Sequence, residues 1–351
     1  MFTMTAAFIL GLMHSFVADL NFERLHIFLF NLCSGGTILL YFTEEEKEMT
    51  IKTSIFFFLS FLYALSAFFE FYIIAMLIAL FLAFIVESVR INKFPGSILI
   101  FFRKTLTVAQ KFHNASLLCL SIALLISVFA IFNDEFLKIF FLRKFQLDTF
   151  FLGFSFPISL ITFSVIFSSL FSGGVLWYKI AKMLSFWIIN IGVIVFFIFI
   201  IMESPVLELV ISSILFLSVM IVLALYWTMA VPVQQRSFLT SGIFFLLMAA
   251  VTGVIYIMLY ISLAKDHPLL AIVLKVHSFV SLYGWNLTGL CAICRYNDFP
   301  LRLNFKLILI MHWVVVLFFA PLGYYMWFFA FLSTVLYIFL LKQIFFSPAQ
   351  T

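Results

Sequence analysis

Residues 53–88 read TSIFFFLSFLYALSAFFEFYIIAMLIALFLAFIVES, with a single charge, Glu70, in the middle of the run. One helix needs about 20 apolar residues to cross roughly 30 Å of hydrocarbon. The stretch is too long for one crossing and fits two, joined by a tight turn at Phe69-Glu70-Phe71. The same ruler, carried outward, predicts spans near 2–18, 25–42, 53–69, 71–88, 112–132 and 148–171. A second set is predicted near 182–202, 206–230, 237–263, 268–293, 304–322 and 324–343. The last two divide at Pro321-Leu322-Gly323, where proline and glycine favour a break, and the first is the shortest. The expected fold is an all-α, polytopic transmembrane bundle of 10–12 spans. It forms one integral membrane domain over 1–351, with no internal repeat or low-complexity linker.

Composition agrees with that reading. Of 351 residues, 66% are hydrophobic and 10% charged, against roughly 45–50% and about 25% in a soluble domain. Thirty-five charged groups in short clusters cannot cover a wet surface of this size, whereas lipid tolerates the 52 phenylalanines. The partner implied is the bilayer. The net charge of +5 comes from basic residues at predicted helix ends, where lipid headgroups and topology account for them, so no nucleic-acid partner is expected. Cys33, Cys119, Cys291 and Cys294 lie mostly in apolar runs and form no secreted disulfide framework. Met1 to Asp19 lacks a basic n-region, and bulky Phe16 precedes any cut after Ala18, so this stretch reads as a retained span.

Cationic loops set the expected orientation. With both termini in the cytoplasm, Lys47, Lys52, Arg90, Lys93, Arg103, Lys104, Lys111, Lys179, Lys182, Arg236, Arg295, Arg302, Lys306 and Lys342 fall inside. Arg24, Lys138, Arg143, Lys144 and Lys265 fall outside, an asymmetry that matches the positive-inside rule for a bacterial-type inner membrane. Two connections, Asn92 to Gln110 and Asn133 to Leu147, mix apolar and basic residues as short interfacial helices do.

Polar side chains inside hydrocarbon are costly, about 2.5–3.5 kcal/mol for a charge at mid-helix on insertion scales, so their positions point to chemistry. The densest set is Lys275, His277, Trp285, Asn286, Cys291, Cys294 and Arg295, followed on the next span by His312-Trp313. At 1.5 Å per residue His277 lies roughly 13 Å and His312 about 15 Å from the outer surface. Two neutral imidazoles at matched depth on successive spans suit bis-imidazole haem ligation, or two ligands to copper or zinc. Lys275 either snorkels outward or binds an anion such as a haem propionate. Cys291-Ala292-Ile293-Cys294 sits at a helix C-terminus, where the dipole disfavours thiolate, and reads as two small buried hydrophobes. His14 and His26 near the outer ends offer a second, weaker site, and His113-Asn114 opens the fifth span. Glu70, Glu87, Glu203 and Glu208 all fall near helix ends, which argues against a mid-membrane carboxylate relay. No complete catalytic constellation is present, so the sequence does not decide whether the chain is an enzyme.

The stretch from His277 to Arg295, HSFVSLYGWNLTGLCAICR, resembles a histidine-bearing span of haem-copper oxidase subunit I and, more closely, of the NnrS-type haem and copper membrane proteins. In these a span reads His, then Gly, then an apolar run closing with Arg. The resemblance covers some twenty residues and implies haem or copper bound by His277, with His312 as partner, in an electron-transfer or gas-stress role. The oxidases' adjacent histidine pair and H-x-H element have no counterpart, so oxygen reduction is not implied. Cys33-Ser34-Gly35-Gly36, Arg90 and His113 resemble the Cys, Arg, His order of exosortase-like transpeptidases, although the predicted topology separates Cys33 from the other two. The competing expectation is a transporter or a non-catalytic subunit working with other membrane subunits, drawn from helix-break signals at Pro157, Pro232 and Pro321.

Overall fold

The computed structural model describes residues 1–17, 20–46, 48–96, 98–103, 105–139, 143–171, 175–231, 236–264, 267–296 and 305–346, with backbone alone at 98 and 143–152. The described residues form helices α1 (Phe2–Met13), α2 (Phe22–Glu44), α3 (Ile51–Phe68), α4 (Tyr72–Lys93), α5 (Val108–Leu137) and α6 (Arg143–Ser168). They continue as α7 (Leu176–Ile201), α8 (Pro205–Met229), α9 (Arg236–Ser262), α10 (Pro268–Cys294), α11 (Lys306–Gly323) and α12 (Trp327–Phe346). Ten are long and apolar enough to cross a membrane; α1 and the apolar stretch Gly153–Ser168 are shorter. The chain is an all-α, multi-pass helical bundle. By packing it divides into two compact units, Met1–Ile161 and Thr162–Thr351, the boundary falling within α6.

Helix ends follow from local chemistry. Thr50 accepts from the backbone of Thr53 to start α3, Asn21 accepts from Arg24 to start α2, and Thr107 with Gln110 closes a capping box on α5. Pro205 and Pro268 occupy the first turns of α8 and α10, where a missing N–H costs nothing. The turn expected at Phe69-Glu70-Phe71 is present. Glu70 takes φ 62° while the Phe71 N–H reaches back to the Ser66 carbonyl at 2.8 Å. Glu203 repeats the arrangement between α7 and α8 at φ 52°, with Ser204 N–H on the Phe199 carbonyl. This is a Schellman closure whose left-handed residue is Glu instead of Gly; its carboxylate keeps each turn in the aqueous layer.

Two expectations shift, and the last expected break is found. Pro157 does not break α6, which runs continuously from Arg143 to Ser168; in a membrane the freed carbonyl is absorbed locally. The final break falls at Gly323, within the expected Pro321-Leu322-Gly323 stretch, and a Cβ there would lie 2.8 Å from the Ala330 backbone. Among the described residues of 133–147 there is no separate surface helix: Asn133–Leu137 continues α5 as a π turn and Arg143 already begins α6. Ile98–Phe102 is a short 3-10 turn. Pro232, Lys47, Lys104, Lys265, Arg302 and the position after Ala18 lie outside the described residues.

Lipid gives no hydrophobic drive for helix association, so spans need close backbone approach and cross-helix hydrogen bonds. In the second unit α9 and α10 meet through glycine: a Cβ at Gly242 would fall 2.5 Å from Thr288, and one at Gly284 2.7 Å from the Phe245 ring. Several spans also loosen into π-helix at Phe28–Gly36 in α2, Val280–Asn286 in α10 and Val315–Phe319 in α11. Such widening changes which carbonyls find a partner within their own helix, and often accompanies functional positions.

Replacing Glu70 or Glu203 with Gly removes the left-handed Cβ strain, worth about 1 kcal/mol. Each variant is expected to raise the thermal unfolding midpoint in detergent, and Glu70→Ala to leave it unchanged or lower.

Candidate functional site

The polar groups of the second unit collect along α9, α10 and α11. His277, half-buried on α10, places Nδ1 2.9 Å from the Ala249 carbonyl of α9. The Thr252 hydroxyl lies 3.3 Å from the same nitrogen while donating to the Met248 and Ala249 carbonyls. A carbonyl only accepts, so the proton sits on Nδ1, and in the neutral ring Nε2 carries the lone pair. Gly253 stands beside the ring; a Cβ there would come within 3.4 Å of Cε1.

His312 on α11 is fully buried and has the opposite tautomer. Its Nε2 donates to the Tyr283 carbonyl at 2.7 Å, within the π-helical stretch of α10. Its Nδ1 is covered and has no hydrogen-bond partner among the described residues. The ring lies 4.8 Å from Phe245, and Phe245 stacks on Trp313 at 4.2 Å. The Trp313 indole N–H donates to Ser241 at 2.7 Å, so the pair His312-Trp313 ties α11 to both α9 and α10.

The matched depth predicted for the two histidines does not bring them together. His312 docks at Tyr283, six residues beyond His277 along α10, which is about 9 Å at helical rise. Two imidazoles on one ion have their nitrogens within roughly 4 Å, since each bond is about 2 Å. Counting depth along each span left out the register between them, which the bond from His312 to the Tyr283 carbonyl records. Lys275 points elsewhere again, its ammonium 4.5 Å from the centre of the Tyr324 ring. That is outward snorkelling with a cation–π contact.

Cys291 is buried and Cys294 half-buried, both as free thiols. Arg295, at the C-terminus of the same helix, donates from Nη1 to the Phe345 carbonyl at 2.6 Å and caps the end of α12. Trp285 is buried against Phe163.

The first unit has a different polar cluster. Buried Arg90 donates from Nε and Nη2 to the Glu87 carboxylate, at 2.8 and 2.5 Å, and from Nη1 to Asn114 Oδ1 at 3.1 Å. His113 Nε2 lies 2.8 Å from the Thr43 hydroxyl. The resemblance to a Cys, Arg, His set is not assembled: Arg90 and His113 are engaged at the helix ends, whereas Cys33 lies mid-span in the π stretch of α2. His14 faces Glu23 at 3.7 Å, and His26 Nδ1 lies 3.2 Å from the Phe22 carbonyl of its own helix. Among the described residues no three His, Cys, Asp or Glu side chains form a metal-holding group. Sequence reading did not pick out Thr252, Gly253 or the Ala249 carbonyl, which carry no signal of their own. It took Glu87 only as a helix-end acid, although Glu87-x-x-Arg90 is a one-face i,i+3 ion pair in an apolar helix.

The chain matches no known protein-family model, no curated protein and no solved structure.

His312→Phe leaves the Tyr283 carbonyl without its donor in an apolar interior, a loss of about 1–3 kcal/mol. A clear fall in unfolding midpoint is expected for this variant, and a smaller one for His312→Gln, whose amide N–H can still donate.

Proposed function

We propose that the chain is a multi-pass protein of a bacterial-type inner membrane, with cytoplasmic termini, that binds a haem or a single copper ion through Nε2 of His277. One observation carries this reading. His277 has its Nδ1–H fixed on a backbone carbonyl and a threonine hydroxyl, the outer-shell arrangement that orients an imidazole for a metal. The half-buried ring stands beside Gly253, and its Nε2 has no hydrogen bond among the described residues. When bound, the group would supply one-electron or small-gas chemistry to an electron-transfer or gas-stress role. His312 enters as the residue that holds α10 in register, and Lys275 as an anchor at the membrane surface. Orientation rests on the distribution of Lys and Arg between loops.

A second reading, transport or service as a subunit of a larger assembly, is favoured by the π-helical interruptions within α2, α10 and α11. Loosened spans of this kind frame midplane sites in transporters.

Purified protein is expected to show Soret absorbance or stoichiometric copper. His277→Ala should abolish it, and His312→Ala should retain it at reduced thermal stability. Absence of both signals in the unaltered protein, or their survival in His277→Ala, removes the cofactor reading; substrate uptake without any chromophore supports transport.

A further inference from the structure

Two connections of the second unit are joined at one end of its helices. Leu170, after α6, and Ala230, after α8, form an antiparallel bridge, with Phe171 N–H on the Met229 carbonyl and Val231 N–H on the Ser169 carbonyl, each at 3.0 Å. Two cations bind the same pair of segments. Lys182 on α7 donates to the Phe171 carbonyl at 2.8 Å, and Arg236, opening α9, donates from Nη2 to the Trp227 carbonyl at 3.0 Å. A single bond to a carbonyl orients each cationic head and leaves most of its N–H donors for a second acceptor. Lys179 lies one turn before Lys182 on the same face of α7 and is exposed.

Charge at this end is unbalanced. Positions 169–182 and 227–236 carry Lys179, Lys182 and Arg236 and no Asp or Glu. None of the three forms an ion pair among the described residues. The turn that joins α7 to α8 at their other ends has the opposite sign, with Glu203 and Glu208 and no Lys or Arg. Exposed indoles frame the cations: Trp177 is 65% and Trp227 63% exposed, as tryptophans at the headgroup level of a bilayer are. From Trp177 an exposed apolar face continues along α7 through Ile180, Leu184 and Ile191.

We propose that this end of α7, α8 and α9 binds an anionic phospholipid. Lys182 and Arg236 hold its phosphate, Lys179 adds charge at the rim, and the acyl chains run along the exposed face of α7. The bridge between residues 170 and 230 fixes the two carbonyls that aim the cations, so the heads are oriented before the lipid arrives. A free phosphate satisfies only the cations, whereas the indoles and the apolar face beside them call for hydrocarbon attached to the charge. The site depends on the chain's place in a membrane and is independent of the cofactor reading for His277.

Native mass spectrometry of the full chain in detergent, titrated separately with dioleoyl phosphatidylglycerol and dioleoyl phosphatidylcholine, tests it. The two lipids share their acyl chains and differ in headgroup charge. Each Lys or Arg beside anionic lipid is worth about a five-fold gain in affinity, so phosphatidylglycerol should bind about ten-fold more tightly or better. Lys182→Gln combined with Arg236→Gln should bring the two lipids to within about two-fold of each other, and Lys179→Gln should lower the preference about five-fold. Lys342→Gln removes the same charge from α12 and should leave the preference unchanged. Glycerol 3-phosphate, which carries the phosphate without the chains, should not displace phosphatidylglycerol at equal concentration. Equal binding of the two lipids by the unaltered chain overturns the proposal. So does a preference that survives the double variant, a loss in Lys342→Gln as large as that in Lys179→Gln, or displacement by glycerol 3-phosphate. The first comparison needs no substitution, and exposed Lys179 keeps the test decisive should the double variant fail to fold.

Discussion

A carbonyl exposed within hydrocarbon has no solvent to turn to, and the second unit is organised by side chains that reach across to such carbonyls. His277 takes that of Ala249, His312 that of Tyr283, and Arg295 that of Phe345, while Trp313 reaches Ser241. These four bonds link α9 to α10 and to α11, α10 to α11, and the end of α10 to α12. They are directional, as dispersion between apolar side chains is not, and so they fix register where lipid provides no hydrophobic pressure. The cationic residues at the helix ends do related work. Lys182 donates to the Phe171 carbonyl and Arg236 to that of Trp227, so both close exposed backbone.

The same constraint gives the two histidines different chemistry. Each ring spends one nitrogen on a carbonyl, and the nitrogen chosen decides what remains. His277 uses Nδ1 and keeps Nε2 without a hydrogen bond among the described residues. His312 uses Nε2 and keeps Nδ1 in a sealed aromatic pocket. Under the proposed function, a tie between helices thus becomes an oriented ligand at one site and remains a structural bond at the other. The first unit solves its polar problem otherwise, through side-chain pairs at the bundle end and covered hydroxyls along α2, α3 and α5.

Most of the fold was legible because a span is a one-dimensional signal. The doubled run 53–88, split at Glu70, shows two crossings in composition alone, and the helix ends at Thr50, Thr107, Pro205 and Pro268 carry their own capping chemistry. What was not legible is rotation and register. Nothing in the order of residues says that Gly284 lets Phe245 approach, or that His312 meets α10 at Tyr283 and not level with His277. Pro157 was misleading for a related reason: its effect depends on the neighbours that absorb a lost hydrogen bond. Backbone carbonyls such as that of Ala249 are the same at every position and leave no trace in the sequence.

The account depends most directly on the two imidazole tautomers, which solid-state nitrogen-15 NMR reads from histidine-labelled protein in bilayers, with His277→Gln and His312→Gln used to assign the signals. The expected spectrum of the neutral rings has His277 protonated at Nδ1 and bare at Nε2, and His312 protonated at Nε2 and bare at Nδ1. Finding His277 protonated at Nε2 alone would contradict it, since the Ala249 carbonyl would then face a lone pair and the ring would have no free nitrogen to offer a metal.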